Sequence, residues 1–312
     1  MRLQDLIVNY VDFRRAMGHK FISGNERLQA FCRTVGSDID ARDVDAERVL
    51  SFLGRTTTRY WHRQYSTLKV FYRYAITRGH VSSSPLPITV PKLPPPFVPY
   101  VYSVDEVRRL LDATTSYRET HRVLEPHTFR VVLLTLYGAG LRISEALSLK
   151  IGDVDLSEGG LLIRKTKFYK SRLLPIGSDL KLALVRYATL RRESGHAESA
   201  ESPFFVGRNG RSLKITTVQQ AFQKLRQHAG IRRSDGARQQ PRLHDLRHAF
   251  VVNRMIAWYK AGADVQRLLP KLSTYVGHVD LISTQHYMTM TPALLQQACR
   301  RFERYAIGGG NE

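Results

Sequence analysis

Apolar residues recur at helical spacing through residues 3–17, 24–35, 45–54 and 57–79, with breaks at Gly18, Ser23-Gly24, Gly36 and Gly79. A period near 3.6 residues gathers those side chains on one face of each segment, which predicts amphipathic helices packed as a small helical domain. The pattern stops at Ser82. Between there and Pro99 stand Pro85, Pro87, Pro91, Pro94, Pro95, Pro96 and Pro99. Proline lacks the backbone N–H that a helix or an interior strand needs, so this stretch reads as an extended, semi-rigid linker.

Patterning resumes at Ser103-Val104-Asp105-Glu106, where Ser and Glu stand three residues apart ahead of Val107, Leu110 and Leu111. That spacing is a capping box, in which the serine hydroxyl and the glutamate each satisfy a backbone N–H at a helix start. Helical spacing follows at 126–137 and 142–149. Three short runs at 151–155, 160–165 and 172–176, separated by turn residues, predict a small antiparallel sheet. Helical patterns return at 178–193, 216–229, 244–260, 264–275 and 292–306, interrupted by a Gly/Ser/Glu-rich break near 194–202. The fold class expected is mainly α with a small antiparallel β-sheet. Residues 1–84 form a helical domain, 85–100 the linker, and 101–312 an α+β domain with a tail helix.

A length of 312 residues accommodates two domains with proper cores, and 43% hydrophobic residues exclude a disordered polycation. Charge changes the picture more. With 48 Lys+Arg against 27 Asp+Glu the formal charge is +21, a field that concentrates polyanions, and nucleic acid leads the candidates. An anionic membrane partner would call for a basic amphipathic terminus or a lipidation site, and neither is evident. Cys32 and Cys299 belong to no metal or redox spacing and suit a reducing compartment. Asp5 and Asp12 disrupt a signal-peptide pattern, and no apolar run approaches a membrane span, so a soluble, cytoplasmic protein is expected.

On a helix over 57–79, Arg59, Arg63, Lys69 and Arg73 share one arc, while Tyr60, Trp61, Leu68, Phe71, Tyr72 and Ala75 share the opposite one. The basic arc is either a solvated surface or a row of phosphate contacts, and this helix alone leaves both open.

Three segments carry candidate chemistry. In Gly138-Ala139-Gly140-Leu141-Arg142-Ile143-Ser144-Glu145 an arginine follows a glycine-permitted turn just before a helix, where it could hold an anion or simply pair with Glu145. In Arg242-Leu243-His244-Asp245-Leu246-Arg247-His248, His244 and Arg247 are three apart and share one side of a helix, after a basic stretch with Arg232, Arg233 and Arg238. Tyr275-Val276-Gly277-His278 precedes Gln285-His286-Tyr287-Met288. With 15 tyrosines in the chain, periodicity cannot single out Tyr287.

The order and approximate spacing of Arg142, the strand-region lysines, His244-x-x-Arg247, Gly277-His278 and Tyr287 resemble the tyrosine recombinases, in particular Xer-type recombinases and phage integrases. The specific motifs lie between Gly140 and Tyr287, and the layout of a helical DNA-gripping domain, linker and catalytic domain matches over the whole chain. The resemblance implies a core-binding domain over 1–84 and a catalytic domain over 101–312. It implies that Arg142 and Arg247 bind the scissile phosphate, that His244 and His278 complete its hydrogen-bonded cage, and that Tyr287 is the nucleophile. The family's Gly-Lys-Gly-x-Lys-x-Arg hairpin corresponds here to Thr166-Lys167-Phe168-Tyr169-Lys170-Ser171-Arg172, which marks Lys167 as the general acid. Both usual glycines are replaced, and Lys165 and Lys170 stand close by.

The chemistry accounts for these residue types. Attack on a phosphodiester gathers negative charge on the non-bridging oxygens, and fixed guanidiniums stabilise it without a metal or other cofactor. A tyrosine of pKa about 10 needs a base, for which His244 is placed, and the leaving deoxyribose oxygen needs a proton, which a partly desolvated lysine supplies. The resemblance further implies a 3′-phosphotyrosyl intermediate, strand exchange on double-stranded DNA and a homotetramer on two duplexes. The tail 292–307 could dock on a neighbouring protomer or pack on its own domain. Two alternatives share many of these residues: a type IB topoisomerase-like enzyme, and a non-catalytic DNA-binding protein on the same scaffold.

Overall fold

The structure is a computed structural model that describes residues 1–94, 98–116, 123–164, 171–237 and 239–277. The chain divides into two compact units, Met1–Phe97 and Val98–Glu312.

The first unit contains α1 (Leu3–Ala16), α2 (Ile22–Val35), α3 (Ala46–Leu53) and α4 (Arg59–Thr77). Each lies within two residues of its expected span, apart from small differences set by caps. Asp45 caps α3 by accepting from the Arg48 N–H at 2.8 Å, and the Thr58 hydroxyl caps α4 by accepting from the Trp61 N–H at 3.0 Å. Leu3, Leu6, Ile7 and Tyr10 of α1 meet Leu28 and Phe31 of α2 and Trp61, Leu68, Phe71 and Tyr72 of α4 in one buried cluster. Tyr60, expected on the packed arc of α4, is 56% exposed. It sits at the edge of that arc in the first turn, and an arc derived from period alone takes no account of where the neighbouring helices end. The described residues of 82–100 form no helix or strand, as the prolines require.

The second unit runs α5 (Val104–Ser116), α6 (Pro126–Gly138), α7 (Ile143–Leu147), β1 (Val154–Asp155), β2 (Gly160–Ile163), β3 (Arg172–Pro175), α8 (Ser178–Glu193), α9 (Ile215–His228), α10 (Asp245–Lys260) and α11 (Val265–Val276). The capping box at Ser103 forms reciprocally. The Glu106 N–H donates to Ser103 Oγ at 3.1 Å, and the Ser103 N–H donates to Glu106 Oε2 at 2.9 Å. The strands make one antiparallel sheet in the order β1-β2-β3, with Leu161 opposite Leu174 and Ile163 opposite Arg172. Leu161, Ile163 and Leu174 face a large core shared with Leu110, Val132, Leu136, Leu184, Phe222 and Leu246.

The strand expected over 151–155 is instead a 3₁₀ turn, Ile151–Asp153, followed by the two residues of β1. Its N–H groups have other partners: Ile151 donates to Ser202 O and Gly152 to Ala200 O, while buried Asp153 accepts from the Lys150 N–H and pairs with Arg164. The helix expected over 142–149 is shorter, because Arg142 keeps an extended backbone (φ −71°, ψ 147°) and serves as its N-cap residue. No helix among the described residues is long and apolar enough to cross a membrane.

Candidate active site

The turn before α7 and the first turn of α10 deliver the described site residues. Gly140 adopts φ +61°, and a Cβ there would lie 2.4 Å from the Phe250 ring, so this turn requires glycine on both conformational and steric grounds. The chain then turns through Leu141 to bring Arg142 to the start of α7. On α10, a buried core of Leu246, Ala249, Phe250 and Val251 fixes the rotation that brings Arg247 inward beside that turn.

The arginines meet at one carboxylate. Glu145, 8% exposed, accepts from Arg142 Nη1 at 2.8 Å and, in a two-point contact, from Arg172 Nη1 and Nη2 at 3.2 and 2.9 Å. Arg247 Nη1 stands 3.9 Å from its Oε2. Burial pushes the Glu145 carboxyl up, but the hydrogen bonds and charge of Arg172, joined by Arg142, outweigh that and hold it below the usual range. Glu145 is therefore ionised at neutral pH. Three guanidiniums against one carboxylate leave the pocket cationic, the condition for holding a phosphate diester.

The same arginines reach the carbonyl end of α11. Arg172 Nε donates to Tyr275 O at 3.0 Å, Arg247 Nη2 to Val276 O at 2.6 Å, and Arg142 Nη2 to Gly277 O at 3.2 Å. Three cations thus face three consecutive carbonyls where the helix dipole is negative, an arrangement that stabilises both. Arg247, 2% exposed, also donates to Gly140 O at 2.6 Å.

His244 precedes α10, and its ring lies edge-on to that of His248, 4.9 Å between centroids. Its imidazole is held below the ordinary histidine value, first by loss of hydration among packed atoms and then by the charges of Arg247, Arg242 and Arg142, against a smaller opposing pull from Asp245. The residue as a whole is exposed to solvent. A neutral ring at pH 7 accepts a proton.

Among the expected residues, the structure brings Arg142 and Arg247 to one carboxylate, and the charge of both reaches His244. Lys167, His278 and Tyr287 lie outside the described residues, as do Lys165, Lys170, Arg238 and the tail 292–307. The helix-start pair considered for Arg142 does form with Glu145, alongside the contact to α11. Sequence reasoning assigned no function to Glu145 or Arg172. The available signal was a single acid three residues after Arg142 in a strongly basic chain, for which several arginines compete. Among the described residues no three His, Cys, Asp or Glu side chains gather as metal ligands.

In the first unit Arg59, Arg63, Lys69 and Arg73 are all exposed along α4. Arg59 donates to Pro94 O at 3.0 Å. Lys69 and Arg73 border a groove of about 370 Å³ with Tyr65 and Leu86, and Arg63 borders another of about 340 Å³ with Arg14, Arg27 and His62.

Residues 101–293 match the Phage integrase family. The chain is 34% identical to the putative integrase/recombinase y4rB of Sinorhizobium fredii over 303 residues, 96% of each chain. It is 33% identical to tyrosine recombinase XerC of Alcanivorax borkumensis over 72% of this chain and 67% of that one. In fold it is similar to a lambda integrase tetramer bound to a Holliday junction, with a TM-score of 0.65, 17% identity, and coverage of 90% of this chain and 78% of that one.

Proposed function

The chain belongs to the phage integrase family and is a tyrosine-type site-specific DNA recombinase; from this premise we propose that Tyr287 is its nucleophile and that Arg142, Lys167, His244, Arg247 and His278 serve it. The observation that carries the assignment is the cationic pocket in which Arg142, Arg172 and Arg247 surround buried Glu145, with the charges of Arg247 and Arg142 reaching His244. Arg142 and Arg247 hold the non-bridging oxygens of the scissile phosphate, with His278 beside them. Tyr287 Oη forms a bond to phosphorus while the bond from phosphorus to the 5′ oxygen breaks. The phenolic proton passes to His244, and Lys167 protonates the departing oxygen. The phosphotyrosyl link retains the bond energy, so a 5′-hydroxyl from the partner duplex reverses the chemistry on a new strand without ATP.

DNA is the partner. Arg59, Arg63, Lys69 and Arg73 of the helical domain track its phosphates, while residues 85–100 link that domain to the catalytic one. The likeness to a lambda integrase tetramer supports four protomers on two duplexes. The task we favour is that of a mobile-element integrase or transposase, because the lysine hairpin departs from the usual Xer wording. The chemistry takes place in the cytoplasm, where DNA is accessible.

The test is incubation with a nicked suicide duplex from candidate flanking DNA, without divalent metal, followed by denaturation and peptide mapping. A covalent protein–DNA adduct at Tyr287 is expected. Its absence on a duplex that demonstrably binds would overturn the assignment.

The base role of His244 sets a pH dependence. A histidine held below its ordinary value stays neutral as pH falls through about 6.5, so single-turnover cleavage should hold near neutrality and decline only below that. A decline centred above 6.5 would rule His244 out as the base. The basic row on α4 sets a salt dependence. Replacing Arg63, Lys69 and Arg73 by glutamine should weaken binding uniformly across duplex sequences and flatten the slope of log affinity against log salt by about 0.9 per lost phosphate contact. An unchanged slope would return these residues to a merely solvated surface.

A further inference from the structure

We propose that Arg172 is a positioning residue for strand cleavage, tying together the three chain segments that carry the lysine hairpin, the Arg142 turn and the His278 segment. This rests on the reading above that Arg142, Arg247, Lys167 and His278 surround the phosphate.

Arg172 opens β3, directly after the segment 165–170 that holds Lys165, Lys167 and Lys170, and its partner in the sheet is Ile163 just before that segment. The hairpin base is therefore pinned at Arg172. From there the side chain, 13% exposed, runs to two other elements. Its two terminal nitrogens hold both oxygens of Glu145, and its Nε holds the Tyr275 carbonyl at 3.0 Å, three residues before His278. Three of the five guanidinium donors are engaged on groups that belong to neither the nucleophile nor the phosphate.

Two consequences follow from this geometry. Among the described residues, Glu145 is the carboxylate that Arg142 and Arg172 share, and Arg247 stands at its margin. With both its oxygens occupied by Arg172, its pull on Arg142 is weakened, which leaves donors of that partly exposed guanidinium for a phosphate. The second consequence concerns Gly277. It adopts φ +72°, and a Cβ there would stand 2.6 Å from Arg172 Nη1. The guanidinium thus packs against the backbone of Gly277, the residue that precedes His278 in the chain. Lysine cannot substitute, because one ammonium does not span two carboxylate oxygens and a carbonyl in a planar fork.

The test compares wild type with Arg172→Lys in duplex affinity and in single-turnover cleavage of the nicked suicide duplex. Arg172→Lys should bind duplex almost as wild type and cleave about 10²-fold more slowly, the scale expected when catalytic groups are displaced by about an ångström. A merely structural role predicts that binding, cleavage and thermal stability fall together. A second comparison keeps the test decisive if that variant folds poorly. Arg172→Gln leaves Glu145 to draw in Arg142, so adding Glu145→Gln should restore part of the lost cleavage, by about tenfold. Wild-type cleavage in Arg172→Lys, or no recovery in the double variant, would overturn the positioning role alone. A wild-type protein that binds but forms no adduct at Tyr287 would overturn the underlying reading and this role with it.

Discussion

Tyr287→Phe should abolish covalent attachment to DNA and strand cleavage while leaving duplex affinity nearly unchanged. The substitution removes one oxygen and keeps the ring, so the shape of the side chain is preserved. Removal of a nucleophile from a covalent catalyst costs on the order of 10⁴-fold or more in rate. The measurement is a denaturing gel of the nicked suicide duplex with wild type and variant, alongside a binding isotherm for each. An adduct persisting in the variant would move the nucleophile to another residue. Loss of binding in parallel would mean that Tyr287 supports the fold rather than the reaction.

Arg247→Ala should damage both stability and cleavage. The side chain is 2% exposed, donates to Gly140 O and Val276 O at 2.6 Å each, and lies 3.9 Å from Glu145. Truncation strands two buried carbonyls and removes one of the cations that balance a buried carboxylate, a loss of about 3–5 kcal/mol for an interior charge left less compensated. Cleavage should fall by about 10²–10³-fold beyond any unfolding, the usual loss when one donor to a developing oxyanion is removed. Urea unfolding gives the first quantity, and single-turnover cleavage under conditions where the variant is folded gives the second. A stability change below about 1 kcal/mol would mean that water satisfies the freed carbonyls. Intact cleavage would remove Arg247 from the phosphate.

The difference between these two residues reflects what the chain order discloses. Tyr287 is one of 15 tyrosines, and only its place after Arg142, His244-x-x-Arg247 and Gly277-His278 distinguishes it. Arg247 could be assigned to the phosphate from that same order, yet its burial and its two backbone partners could not. Gly140, by contrast, was legible as a turn glycine from its local setting, and φ +61° is what such a turn demands.

Periodicity, proline placement and caps are properties of near neighbours, and they suffice for the helices of the described residues, the break in patterning from Ser82 and the Ser103 start. The order of the candidate residues along the chain likewise sufficed to indicate the family and the reaction class. The pairing of Arg172 with Glu145, and the alignment of Arg172, Arg247 and Arg142 on the carbonyls of Tyr275, Val276 and Gly277, arise between segments 27 to 135 residues apart, whereas the Arg142–Glu145 pair is local. The strand expected at 151–155 failed for the same reason, since Ser202 and Ala200 supply acceptors that no local pattern reveals. A buried charge or N–H takes whichever partner the folded chain brings within about 3 Å, and that choice is made by packing, which periodicity does not encode.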